Sequence, residues 1–115
     1  MLNNISIIGY LARDPDLRAT PTGKSICRFV IANTRPKAAT KEREVDFIDV
    51  VCLYSTAEFV NKWFKKGDPI VVVGRLQSQV EVQKDGRSIK KYEILANSVD
   101  FCPVQKTPTD DEVPF

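Results

Sequence analysis

Residues 45–82 read VDFIDVVCLY (45–54), STAEFVNKWFKKG (55–67) and DPIVVVGRLQSQVEV (68–82): an apolar strand, a short helix, a glycine and a second apolar strand. Ser55 with Glu58 three residues later has the spacing of a capping box, which places the helix start at Ser55. Phe59, Val60, Trp63 and Phe64 then recur at helical spacing as one apolar stripe, so Trp63 is expected in the core. Gly67 follows Lys65 and Lys66 as a C-terminal stop. In the first strand the even positions Ile48, Val50 and Cys52 are apolar and point inward, which turns Phe47, Asp49, Val51 and Leu53 outward. In the second, Ile70, Val72, Gly74 and Leu76 share the inward parity. Val71 and Val73 are left on the outer face beside Arg75 and Gln77, as a subunit interface would require.

Outward from this stretch, every other ordered segment reads as strand. Asn4 to Leu11 alternates with Ile5, Ile7, Gly9 and Leu11 on one face, and Asp14-Pro15-Asp16 breaks it. Thr20-Pro21-Thr22-Gly23 is a turn, after which Lys24 to Thr34 alternates with Cys27, Phe29 and Ile31 inward. Arg35 to Glu44 (RPKAATKERE) is a polar, basic loop. Lys84-Asp85-Gly86-Arg87 marks a hairpin tip, and Ile89 to Phe101 supplies the last strand before Pro103. One helix between the third and fourth of about five strands makes the chain all-β with a single helix. This is the arrangement of the OB-fold, a five-stranded closed Greek-key barrel that often grips oligonucleotides. The expected division is a barrel domain over residues 1–103 and a short disordered tail over 104–115.

A length of 115 residues suits one domain with one core. No apolar run reaches the roughly 18 residues of a membrane span, and the start MLNNISIIGYLARD lacks signal-peptide features, so the expected location is cytoplasmic. Cys27, Cys52 and Cys102 are odd in number, far apart and inside strand patterns, which favours buried reduced thiols over disulfides or a metal site. The chain has no histidine, so zinc and general-base chemistry lose their commonest residue, and no cofactor is expected. Asp46 and Asp49 have opposite strand parity and lack nucleophile partners, which argues against a hydrolase. The formal charge of +2 hides an asymmetry: without Lys106 to Phe115 there are 16 basic and 12 acidic residues, or +4. A mildly basic body with an acidic tail is compatible with phosphate contacts without demanding them.

The motif Asn4-Ile5-x-Ile7-Ile8-Gly9-x-Leu11-x-x-Asp14-Pro15-Asp16-x-Arg18-x-Thr20-x-x-Gly23 is followed by Phe29-x-Ile31-Ala32, Asp46-Phe47-Ile48, Ala57-Glu58, Lys66-Gly67 and Gly74-Arg75-Leu76. This series, over roughly residues 3 to 102, resembles the bacterial-type single-stranded DNA-binding protein family. The end Asp110-Asp111-Glu112-Val113-Pro114-Phe115 is similar to that family's acidic tip. The resemblance implies a homo-oligomer, usually a tetramer, with a dimer as the alternative, and no catalysis. It would coat single-stranded DNA without sequence preference during replication, recombination and repair, and would recruit partner proteins through its tip.

Carried over by position, the family's stacking aromatics fall on Lys37, Phe47, Leu53 and Glu81, of which only Phe47 is aromatic here. The DNA-binding set expected is therefore Phe47, Leu53 and Tyr54 with Arg18, Arg28, Arg35, Lys37 and Arg75, while Asp49 sets a negative charge between Phe47 and Leu53. The thinned aromatic set and Asp49 keep an alternative open: an OB-fold adaptor with weakened DNA binding that acts mainly through protein contacts. In either reading Asp110, Asp111, Glu112, Val113, Pro114 and Phe115 form the partner-binding tip, with Phe115 entering an apolar pocket and its carboxylate meeting a basic group.

Overall fold

The computed structural model describes residues 1–35 and 44–102. The elements are β1 (Ile5–Leu11), β2 (Asp16–Ala19), β3 (Ser25–Thr34), β4 (Val45–Leu53), α1 (Tyr54–Trp63), β5 (Pro69–Val82) and β6 (Ser88–Phe101). The strands hydrogen-bond in the order β1-β5-β6-β4-β3-β2, and β1 also pairs with β3, so β1, β5, β6, β4 and β3 close into a barrel. All pairings are antiparallel except β4 with β6, which meet only through Val50 opposite Ile94 and Val51 opposite Leu95. This is the expected OB-fold, with its helix between the third and fourth barrel strands. The sixth strand, β2, is an addition: the chain after Asp14-Pro15 pairs Asp16–Ala19 with Ser25–Arg28, and the Thr20–Gly23 turn makes the two a hairpin. The expected tail over 104–115 and the body of the basic loop, including Lys37, lie outside the described residues.

Two glycines let the barrel close. At Gly9, where β1 passes from β5 to β3, a Cβ would lie 2.2 Å from Ile31 Cγ2 and 2.6 Å from the Ala32 carbonyl oxygen. At Gly74, beside the bulge in the β5–β6 ladder, it would lie 2.1 Å from the Leu95 carbonyl oxygen. A strand can cross another this closely only where a side chain is missing. The inward residues Leu11, Phe29, Ile31, Val50, Ile70, Val72 and Ile94 fill the interior as their parity requires. Each such side chain contributes about 1.5–3 kcal/mol relative to exposure.

The helix differs from its sequence reading at both ends. It starts at Tyr54, whose φ of 57° turns the chain straight off β4; Leu53 occupies the cap position and no side chain caps the helix. Ser55 is thereby already inside the first turn, and the capping box does not form. The helix ends at Trp63, with Phe64 as an extended C-cap. Gly67 instead serves the following turn, where its N–H donates to the Leu11 carbonyl at 2.8 Å. The buried residues are Ala57, Val60 and Phe64, a narrower stripe than expected. Trp63 lies beside that stripe at 55% exposure with Lys62 Nζ 5.2 Å from its ring centre, so it is not a core residue. Phe64 stacks on Phe101 at 5.0 Å, and Phe59 meets both edge-on, fastening the end of β6 to the helix.

Cys27 and Cys52 face each other across β3 and β4 and are fully buried free thiols. The Cys52 Sγ–H donates to the Cys27 carbonyl at 3.5 Å, and contact with Cys27 and burial push the Cys52 thiol up. Cys102, expected to be buried, is only half-buried because it follows the last strand. Among the described residues no helix is long and apolar enough to cross a membrane.

Candidate nucleic-acid interface

Strand register turns the outward parity into a surface. Arg18 on β2, Ile26 on β3 and Leu53 on β4 form one row across the sheet. The next row is Asp16, Arg28, Val51, Leu95 and Arg75, running from β2 through β3, β4 and β6 to β5. Val30 with Asp49, and Ala32 with Phe47, make the following two. Neighbouring strands are about 4.8 Å apart, so Arg28 and Arg75 stand about 14 Å from each other in their row, and Phe47 lies about 20 Å along β4 from Leu53.

Phe47 is 68% exposed, as an outward aromatic requires. Val51 keeps its outward parity but is buried in the row between Arg28 and Leu95, so it is floor and not an exposed contact. Leu53 is half-buried. Tyr54 is exposed but turns away at the helix start, where Lys24 Nζ lies 5.0 Å over its ring. The structure thus brings Arg18, Arg28, Leu53, Arg75 and Phe47 onto one face, with Arg35 just beyond the β3–β4 ends, and sets Tyr54 at its margin. Val71 and Val73 are half-buried on the outer side of β5, opposite exposed Ile8 and Ser6 of β1.

The arginines are less free than the sequence implied. Arg18 Nε donates to Asp16 at 3.1 Å. Arg35 gives Nε and Nη2 to Asp46, both at 2.9 Å, and also pairs with Glu44; hydrogen bonding to Asp46 raises the guanidinium pKa and holds the Asp46 carboxyl below its usual range. Arg28 Nη1 donates to Glu93 at 3.0 Å. Arg75 makes no ion pair among the described residues. The pairs of Arg18 and Arg35 are exposed, and such pairs are worth only about 0–1 kcal/mol, so a phosphate exchanges readily for the carboxylate.

Glu93 is the member of this face that sequence reading missed. It is 8% exposed, and its carboxylate accepts from Arg28, from Gln77 Nε2 at 2.8 Å and from Gln79 Nε2 at 2.9 Å. One buried carboxylate therefore ties β3, β5 and β6 together beneath the face. The signal available was a single acid beside Ile94 in the apolar run of β6, an expensive position unless donors surround it. Glu81, at the position corresponding to a family aromatic, is ion-paired with Lys91, and that pairing raises the lysine pKa.

A closed five-stranded barrel with one capping helix, carrying an exposed ring and arginines across its β3–β4–β6–β5 face, defines the class of OB-fold binding modules. Residues 2–102 match the Single-strand binding protein family, and the chain belongs to that family. It is 38% identical over 113 residues to single-stranded DNA-binding protein 1 of Staphylococcus aureus strain MSSA476, covering 97% of this chain and 72% of that protein. It is 40% identical over 102 residues to the single-stranded DNA-binding protein of Oceanobacillus iheyensis, covering 88% and 63%, and 41% identical over 102 residues to that of Bacillus cereus, covering 88% and 60%. The chain therefore spans between 60 and 72% of the length of these relatives. The family is one of binding proteins and not of enzymes.

Proposed function

We propose that the protein binds and protects single-stranded DNA without requiring a particular sequence, as a homo-oligomer acting in replication, recombination and repair. The observation that supports this most is the face itself: Phe47 exposed at one end of β4, and the Arg28–Val51–Leu95–Arg75 row crossing four strands beside it. A ring of this kind stacks on a base whatever its identity, for about 1–3 kcal/mol, and arginines track the phosphates. Lys37, which lies outside the described residues, is a further basic contact we assign to the strand, and Tyr54 offers a marginal second ring. Exposed Ile8 with Val71 and Val73 supports self-association through the outer side of β1 and β5, giving a dimer or tetramer. The Asp110–Phe115 tip is the segment we assign to partner recruitment, and cytoplasmic, nucleoid-associated action follows from DNA binding.

Labelled oligo(dT) challenged with unlabelled single strand or duplex tests the reading: single strand should displace it far better, and Phe47→Ala should weaken binding about 5- to 160-fold with the fold intact. Equal displacement by duplex would overturn it. The adaptor reading is favoured by one observation, the commitment of Arg28 to the buried Glu93 carboxylate. It predicts micromolar or weaker oligo(dT) binding alongside partner capture that is lost when Phe115 is deleted.

A further inference from the structure

We propose that Asp49 gives the DNA-binding face a preference for bases carrying an exocyclic amino group over thymine. This rests on the single-strand reading above and deepens it. Asp49 lies two residues after Phe47 on the same outward face of β4, so the two Cα atoms are about 7 Å apart, and a base stacked on the Phe47 ring brings its edge toward the carboxylate. Asp49 is exposed and makes no hydrogen bond or close ion pair among the described residues; Lys91, whose charge it faces, gives its Nζ to Glu81. It is therefore a free acceptor beside the stacking ring, unlike Glu93, whose oxygens are occupied.

The surroundings suit a base. β4 and β6 diverge on the N-terminal side of their two paired positions, and the gap opens into a cavity of about 360 Å³ lined by Ile5, Ile48 and Ile94, together with the exposed Phe47, Asp49 and Tyr92. Apolar lining, exposed aromatics and one acceptor match an object with apolar faces and a polar edge. A carboxylate can only accept hydrogen bonds. Cytosine offers it an N4 amino group, whereas thymine presents the O4 carbonyl at the same place and meets oxygen with oxygen. Repulsion between Asp49 and phosphate weakens every strand equally and cancels from the comparison. The difference left is one charge-assisted but solvent-exposed hydrogen bond, about 3- to 10-fold in affinity. A bias of that size still leaves any sequence bindable.

Anisotropy titrations at pH 8 and one salt concentration would compare oligo(dT) with the same oligomer carrying 5-methyldeoxycytidine at every third position. These two bases share the methyl group and stacking surface and differ at the 4-amino or 4-oxo edge. The wild type should bind the substituted oligomer about 3- to 10-fold more tightly. Asp49→Ala should bind oligo(dT) more tightly and bring the ratio close to one, and Asp49→Glu should keep the preference. Equal affinities in the wild type, or an unchanged ratio in Asp49→Ala, would overturn the inference while leaving single-strand binding standing. Failure of either oligomer to bind would overturn the single-strand reading and the inference with it.

Discussion

Glu93→Gln keeps the volume of the side chain and removes its charge, and the structure predicts opposite effects on stability and on DNA binding. The carboxylate accepts three hydrogen bonds, from Arg28 at 3.0 Å, Gln77 at 2.8 Å and Gln79 at 2.9 Å. A bond to a charged group is worth about 1.5–3 kcal/mol and a neutral one about 0.5–1.5 kcal/mol, so the three together lose roughly 3 kcal/mol. The Arg28 side chain is 57% exposed, and water replaces part of its share, which brings the loss to about 2 kcal/mol. For a domain of this size that lowers Tm by roughly 8 °C. Binding moves the other way: Arg28, released from its partner, gains a phosphate contact, and the log–log salt slope for oligo(dT) steepens by about 0.7. Urea unfolding followed by circular dichroism gives the first quantity, and anisotropy over a salt series gives the second. A variant as stable as the wild type would refute the role given to the network, and an unchanged slope would place Arg28 away from the phosphates.

Gly74→Ala should cost about 3 kcal/mol or more, seen as a lower urea midpoint, because the new Cβ meets the backbone of Leu95 and Ala96, which cannot yield as a flexible side chain would. Trp63→Ala should cost less than about 1 kcal/mol, and acrylamide should quench the wild-type tryptophan efficiently while oligo(dT) quenches it little, since Trp63 is half-exposed on the helix and away from the β-sheet face. The Asp46 carboxyl, hydrogen-bonded by Arg35, should titrate below its usual 3.8 in a carbon-detected NMR experiment. Because its folded pKa is depressed, the stability it contributes is present above the unfolded value and is lost only as pH falls through the folded one, so the Arg35–Asp46 clasp should persist down to about pH 4.

The barrel was legible because its strands bury one parity: Ile70 and Val72, or Phe29 and Ile31, are inward by alternation alone. Phe47, Arg28 and Arg75 reached the same face for the same reason. Alternation does not report the number of strands that pair, so β2 was hidden behind Asp14-Pro15, which does end β1 without preventing a new ladder two residues later. The helix start failed on a backbone event, the positive φ of Tyr54, that the Ser55–Glu58 spacing could not reveal. Trp63 failed because a stripe of four apolar residues is wider than the contact that a ten-residue helix makes with this barrel. The pairing of Arg28 with Glu93 joins residues 65 apart in sequence, and no local pattern encodes it.

In the proposed function this face holds single-stranded DNA chiefly through its basic side chains, with Phe47 as its main ring. Titration of labelled oligo(dT) from 50 to 200 mM salt tests it most directly. With Arg18, Arg35, Arg75 and Lys37 as the contacts, Arg28 being held by Glu93, and about 0.7 per phosphate on single strands, a slope near −3 per protomer is expected on a log–log plot. Affinity that stays flat across that range, or no binding even at 50 mM, would contradict it.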